Sequence, residues 1–407
     1  MNSDKYPLAR HDDDKVVVRI PDLFVGFLAE EPKVNPLYGP IKLESEAWIN
    51  GFCNFDQKMA STINKCDFSY FMAVTAPDAD ATTFRTLCDW GNWVFPYDDM
   101  FDNGVLRNDP KTARKVMDDL MTPMLQGTLP QRSEQERTTI LKVHDHVWHN
   151  LQSASSIGTQ RRFAEAMSDY CAGALLQVED SCNDKVLTPE DMLARRQLSA
   201  GVSPIYPLVE YACQLYLPDH IFEDCIIKEL EQLVTDFVLI INDMLSYMKE
   251  EAELVPHNLV AVARMNGLGP QEAFDHIGQM LNSRHSRWQQ ALERVPRWGH
   301  DIDCQVSEYI QGISNVAKAN LYWSFKSQRY LGSKGPEIRQ TRLVEVLREP
   351  GFLDNVSGTN ISRRDTPRNL SHSQQSRTMG KALLNGAFML SLVMLFIRVA
   401  TTFWLER

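Results

Sequence analysis

The sequence predicts an all-α protein, and three observations carry that expectation. From residue 42 onward, apolar residues recur at helical spacing in segment after segment, with Pro, Gly or Asn between them. No segment alternates long enough to argue for a sheet, and no repeat of roughly 20–50 residues is visible. The middle of residues 229–253, from Phe237 to Ile241, is apolar on every side, as expected of a helix buried in a bundle.

Taken in order, residues 1–17 read as a charged, flexible tail carrying Asp12-Asp13-Asp14-Lys15. Val16 to Pro40 is punctuated by prolines and reads as an extended strap over a helical body. Helices are expected near 42–62, 65–74, 80–103, 110–126, 133–152, 157–180, 188–197, 204–216, 220–253, 257–266, 270–297 and 300–331. Some starts are well marked: Thr188-Pro189-Glu190-Asp191 offers a cap, a proline at the first helical position and acids in the first turn. Gly201, Pro204 and Pro207 predict a broken helix whose exposed carbonyls point into whatever cavity it lines. The folded domain is expected over 18–335, and residues 336–381, rich in Gly, Ser, Asn, Arg and Pro, read as a disordered linker.

Residues 382–407 are expected to form an apolar C-terminal helix. Its uninterrupted piece, Leu383 to Ile397, would span only about 22 Å, short of the ~30 Å hydrocarbon core of a bilayer. Counting on to Leu405 reaches that length with Arg398 snorkelling. A membrane anchor and a docked amphipathic helix both stay open.

The chain has 407 residues, 43% of them hydrophobic, enough for one large helical core or two modest domains. A net charge of −11 without a basic block argues against nucleic acid as a partner. The eight cysteines form no CxxC pair and read as reduced core thiols. The N-terminus lacks the apolar region of a signal peptide, so a cytoplasmic protein is expected, with or without anchoring to a membrane face.

Two stretches carry chemistry. Phe95-Pro96-Tyr97-Asp98-Asp99-Met100-Phe101-Asp102 puts Asp98 and Asp102 on one helical face, with Asp99 about a quarter-circle away. Carboxylates at the end of a buried helix cost several kcal/mol each unless a cation compensates. Oxygen-only ligation suits Mg²⁺ or Mn²⁺ rather than zinc. In the second stretch, Asn242, Ser246 and Glu250 follow at i, i+4 and i+8, so an amide, a hydroxyl and a carboxylate share one stripe.

Asp98-Asp99-Met100-Phe101-Asp102 resembles the first metal motif of class I terpene synthases, and Asn242 to Glu250 resembles their NDxxSxxKE motif. Arg329-Tyr330 resembles their third signature, and residues 18–335 as a whole are similar to fungal sesquiterpene cyclases. The resemblance implies a single α-domain of the class I terpenoid synthase bundle. It further implies ionisation of a linear prenyl diphosphate with three Mg²⁺ ions, Mn²⁺ being an alternative metal. Asp98, Asn242, Ser246 and Glu250 would be metal ligands, with Asp99 and Asp102 as outer or occasional ones. Arg196, which lies about 46 residues ahead of Asn242, matches the family's diphosphate-sensing arginine. A helix-break residue four positions later falls on Ala200, or on Gly201 if the register shifts by one. Lys249, Arg329 and Tyr330 would donate to the diphosphate. Phe95 and Trp323, and after them Phe71 and Trp93, are candidates for facing the cation.

Farnesyl diphosphate is the expected substrate, with geranyl and geranylgeranyl diphosphates as alternatives and a monomer or homodimer as the assembly. A non-catalytic, tail-anchored helical protein is the rival reading, but it gives no reason for the Asn242, Ser246 and Glu250 stripe. A chain-elongating prenyltransferase would need a second Asp-rich motif. Asp12-Asp13-Asp14 is not the DxDD of protonation-type cyclases, and Glu179 to Asp184 breaks the DDxxD spacing. The three histidines in 144–149 lack HExxH or a distant third ligand, so zinc is not expected.

Overall fold

The computed structural model describes residues 14–353, apart from 103, 105, 108, 127–137 and 181–186. These residues belong to one compact unit; the segment Asn360–Arg407 lies outside the description. The described helices begin with α1 (Tyr38–Phe52), α2 (Gln57–Cys66), α3 (Phe68–Thr75) and α4 (Ala81–Asp102). Then follow α5 (Pro110–Gln126), α6 (Thr139–Ala154), α7 (Ile157–Asp180), α8 (Pro189–Ser199) and α9 (Ile205–Ala212). The second half holds α10 (Asp219–Glu223), α11 (Cys225–Ala252), α12 (Leu259–Met265), α13 (Pro270–Glu293), α14 (His300–Lys326) and α15 (Gly335–Thr341).

The all-α expectation holds, and α11 is its axis. It packs on α13 and α14, while α4 packs on α1, α3 and α6. Every residue from Phe237 to Ile241 is buried, so the run that is apolar all round is covered all round. Caps set the boundaries where the sequence offers them. Thr188 accepts from Asp191 N ahead of Pro189, and Asp224 accepts from Ile226 and Ile227 N. That aspartate splits the single helix expected over 220–253 into α10 and α11. Asp56 likewise caps α2 and divides the expected 42–62 helix.

Three expectations are overturned. A two-stranded antiparallel sheet pairs β1 (Lys15–Arg19) with β2 (Leu343–Leu347), in register Val16 with Val346 and Val18 with Val344. The end of the expected N-terminal tail is therefore paired structure, and the domain runs past 335 into the expected linker, through α15 and β2. The physical reason is burial at every second position: Val18, Val344 and Val346 are inside, while Val17 and Leu343 are exposed. Over only five residues per strand, that period is too short to argue for a sheet from sequence. The cysteines divide as well. Cys66, Cys88 and Cys171 are buried free thiols, but Cys225 and Cys304 are exposed.

Near the start of α11, Glu231 Oε1 accepts a hydrogen bond from Tyr309 Oη of α14 at 2.5 Å. Burial pushes the Glu231 carboxyl up to about 7, the hydrogen bond and Arg162 partly offsetting it and Glu210 adding to it. Its folded pKa is thus above its ordinary value of 4.5. Stability is fully present at the low end and is lost as pH rises from about 4.5 towards 7. Glu231→Gln keeps the acceptor and removes the titration. Its thermal stability should match the parent near pH 4.5 and exceed it near pH 8, by up to about 3 kcal/mol. An offset that is equal at both pH values would exclude Glu231 as the titrating group.

Candidate active site

A cavity of about 1070 Å³, counted out to its open mouth, lies between α3, α4, α8, α9, α11 and α14. Its lining combines apolar and aromatic side chains with the charged groups Asp98, Asp99, Arg196, Lys249, Glu250 and Arg329. On α4, Trp90, Val94 and Asp98 follow at i, i+4 and i+8 and all line the cavity, with Phe95 beside them. Pro96 lies inside this helix and leaves the Asn92 carbonyl without its helical donor.

Asp98 Oδ1 accepts from Tyr170 Oη at 2.8 Å. Burial and then the charge of Asp98 hold the Tyr170 phenol well above its ordinary pKa, so it stays a donor. Asp99 takes the fork of Arg329, with Nη2–Oδ1 at 2.8 Å and Nη1–Oδ2 at 3.4 Å. Asp102 closes α4, and its side chain lies outside the described residues.

Across the cavity, Asn242 donates from Nδ2 to Tyr330 Oη at 2.9 Å, leaving its amide oxygen as the acceptor end. Asn258 Nδ2 reaches Glu250 Oε2 at 2.8 Å and Ser246 Oγ at 3.5 Å, which places these two oxygens on the same side of α11. Asp243, one residue past Asn242, turns away to bind Arg196 Nη2 at 2.7 Å and Leu259 N at 2.7 Å. Burial, and then Asp243, push the Glu250 carboxyl up to about 7, against the opposing pull of Arg196.

The break between α8 and α9 falls at the expected place. Ala200 ends α8, Gly201 has φ +65°, and both line the cavity. A Cβ at Gly201 would be strained by that φ and would lie 3.4 Å from the Tyr170 ring, so glycine suits the turn. Arg196 and Lys249 both line the cavity, Lys249 holding Glu253 at 2.9 Å.

The aromatic wall is continuous. Phe95 stacks on Phe68 at 3.7 Å, and Trp323 lies 5.3 Å from Phe95, 5.9 Å from Phe71 and 5.5 Å from Tyr330. Trp323 is fixed by donating Nε1 to Cys66 O at 2.6 Å. Trp93 is a correction: it faces α6, donates to Ile140 O and stacks on Tyr97, while Trp90, one turn round the helix, takes the cavity side.

A family model described as terpene synthase family 2, C-terminal metal binding, matches residues 89–287. A silphinene synthase, peniA, of Penicillium patulum is 36% identical over 337 residues, covering 82% of this chain and 91% of its own. The chain belongs to the terpene synthases. A (+)-eremophilene synthase of Gibberella fujikuroi is 32% identical, covering 81% of this chain and 92% of its own. The structure of a linalool/nerolidol synthase from Streptomyces clavuligerus superposes with a TM-score of 0.64 at 18% identity, covering 74% of this terpene synthase and 98% of that chain. That likeness carries the class I fold.

A divalent metal is part of this family's chemistry, and the donors in this synthase fit one. Asn242, Ser246 and Glu250 present oxygen only, and the raised Glu250 marks a carboxylate whose charge a nearby cation would stabilise. Among the described residues, no group of three His, Cys, Asp or Glu could hold an ion by itself. Asp98 and Asp99 on α4 and Asn242 and Glu250 on α11 line the cavity, whereas Ser246 is fully buried beside Asn258 and is not among the lining residues.

Sequence reasoning missed Tyr170, Asn258 and Trp90. Tyr170 is 72 residues from Asp98, and no local pattern links them. Asn258 left a trace as a capping residue after Pro256, and Trp90 as the member of the Asp98 stripe two turns back. Of the decoys, His144 packs 4.7 Å from Trp93, and Glu179 lies 3.7 Å from Arg114. Among the described residues no helix is long and apolar enough to cross a membrane, and 382–407 lies outside them.

Proposed function

We propose that this terpene cyclase takes farnesyl diphosphate, ionises it and cyclises the allylic cation to a sesquiterpene hydrocarbon or alcohol, releasing diphosphate. One observation carries the reading. Oxygen donors on α4, Asp98 and Asp99, and on α11, Asn242 and Glu250, line one aromatic cavity together with Arg196, Lys249 and Arg329. The sesquiterpene relatives named above support the C15 substrate.

In this reading Asp98, with Asp99 and Asp102 next to it, and Asn242, Ser246 and Glu250 opposite would hold three Mg²⁺ ions. When bound, the metal supplies neutralisation of the charge that develops on the departing diphosphate. Arg196, Lys249, Arg329 and Tyr330 orient that group as hydrogen-bond donors. Arg329 and Arg196 are already fixed by Asp99 and Asp243, so the substrate meets forks that have little orientation left to lose. The carbon–oxygen bond then breaks with its electron pair leaving on the diphosphate. Phe95, Trp323, Phe71 and Trp90 face the cation with π surfaces, each worth roughly 0.5–2 kcal/mol, and offer no nucleophile. A proton passes to the released diphosphate, or water adds, to end the reaction.

The test is incubation of the full chain with farnesyl diphosphate and Mg²⁺, then gas chromatography–mass spectrometry of the extract. A cyclic C15 product that is lost on chelation and in Asn242→Ala is expected. Product only from geranyl or geranylgeranyl diphosphate would replace the substrate; no product from any of the three, with the protein folded, would overturn the reading.

A further inference from the structure

Helix α12 is seven residues long and is absent from the reading above, yet both of its ends grip α11 at the turn carrying Ser246 and Glu250. At its start, the fully buried Asn258 uses Oδ1 to cap α12, accepting from Val260 N at 2.8 Å and Ala261 N at 3.2 Å. Its Nδ2 donates to Glu250 Oε2 at 2.8 Å, to the Asp243 carbonyl at 2.8 Å and, at longer range, to Ser246 Oγ at 3.5 Å. The next backbone N–H, of Leu259, binds Asp243 Oδ2 at 2.7 Å. One amide thus touches two oxygens of the stripe and fixes the backbone just ahead of them, at Asp243.

At its other end, Arg264 is buried at 3% side-chain exposure. Its guanidinium binds Tyr247 Oη at 3.0 Å and Glu251 Oε1 at 3.3 Å, about a quarter-circle round the same stretch of α11. The same group donates to the carbonyls of Leu347 at 2.7 Å and Arg348 at 2.6 Å, at the end of β2. Glu251 completes the ring by accepting from Leu347 N at 2.9 Å. A buried, multiply bonded guanidinium costs much to maintain and fixes geometry in return.

We propose that α12 is the positioning element of the second oxygen stripe. Asn258 sets the Glu250 and Ser246 oxygens directly, and Arg264 ties the neighbouring face of the same stretch of α11 to strand β2. This rests on the reading of Ser246 and Glu250 as metal donors. Asn258 and Arg264 touch neither substrate nor metal; they act through α11. Residues that orient ligands in this way typically change metal affinity by about 10–100-fold when replaced.

The experiment uses the full chain and two readouts: the Mg²⁺ concentration giving half-maximal thermal protection in the presence of inorganic pyrophosphate, and kcat against KM for farnesyl diphosphate. Asn258→Ser keeps a capping oxygen but cannot reach Glu250. The Mg²⁺ half-point should rise by about tenfold or more, with kcat falling at subsaturating Mg²⁺ and recovering in part at high Mg²⁺. Arg264→Lys keeps the charge beside Glu251 and loses the fork onto β2; it should raise the half-point several-fold and serves if Asn258→Ser does not fold. Ser246→Ala is the control for the underlying reading. If Ser246→Ala weakens Mg²⁺ protection while both α12 variants keep the parental half-point, the positioning role is overturned and the metal reading stands. If Ser246→Ala leaves the half-point unchanged, the metal reading itself falls and takes the proposal with it.

Discussion

Asp98→Asn should lower turnover by on the order of 10²–10³ while leaving the melting temperature within a few degrees of the parent. The substitution exchanges one oxygen for an amide nitrogen and changes no shape. Tyr170 donates to Asp98 Oδ1 at 2.8 Å, and the asparagine carbonyl can accept that bond unchanged. The amide NH₂ then takes the place of the second carboxylate oxygen, so a ligand for a cation becomes a donor that repels it. Stability is spared because Asp98 and Asp99 are adjacent like charges, and removing one relieves their repulsion. Single-turnover assays with farnesyl diphosphate separate the chemical step from product release, and a thermal scan reports the fold. A variant within tenfold of the parent would remove Asp98 from the ionising machinery.

The contrast between Asp98 and Asp99 shows how far the sequence could be read. Spacing places both on α4 and separates their faces, but it cannot say that Arg329 occupies Asp99 while Tyr170 serves Asp98. Those partners come from α7 and the end of α14, and sequence carries no distance between elements. Local rules did well where one dominant force acted. The apolar run of α11 had to be buried, Thr188 and Pro189 had to start α8, and Gly201 with two prolines had to break the chain after it. They failed where two weak signals competed. Phe95, Trp93 and Trp90 are aromatic neighbours on one helix, and only the packing of α6 decides that Trp93 faces away from the cavity. Likewise Gly332, Gly335 and Pro336 punctuate the chain as a linker would, yet Ile338, Val344, Val346 and Phe352 beyond them find a core to enter.

That last group makes the second large prediction: a chain ended after Arg342 should melt about 10 °C or more below the full chain, or fail to stay soluble. Val344, Val346 and Phe352 are buried, and burial of such side chains contributes about 1.5–3 kcal/mol each. Removing β2 also takes both carbonyl acceptors from Arg264 and the Leu347 N–H from Glu251, which adds about 1–3 kcal/mol for buried groups left without partners. β1 loses its ladder as well, because β2 is its sheet partner among the described residues. At roughly 1–2 °C per kcal/mol for a domain of more than 300 residues, a sum of about 6–12 kcal/mol gives that shift and reaches the stability reserve of many proteins. Point variants separate the packing from mere length. Val346→Asp places a charge where Val346 is 1% exposed and should reproduce much of the loss, whereas Val17→Asp, at a position 58% exposed on the paired strand, should cost little. Parental melting of the truncated chain would return residues 343–353 to the status of a tail. Loss of stability in the truncation and in Val346→Asp, but not in Val17→Asp, makes the terminal strand part of the folded domain, with the stripe-bearing turn of α11 resting against it through Glu251 and Arg264.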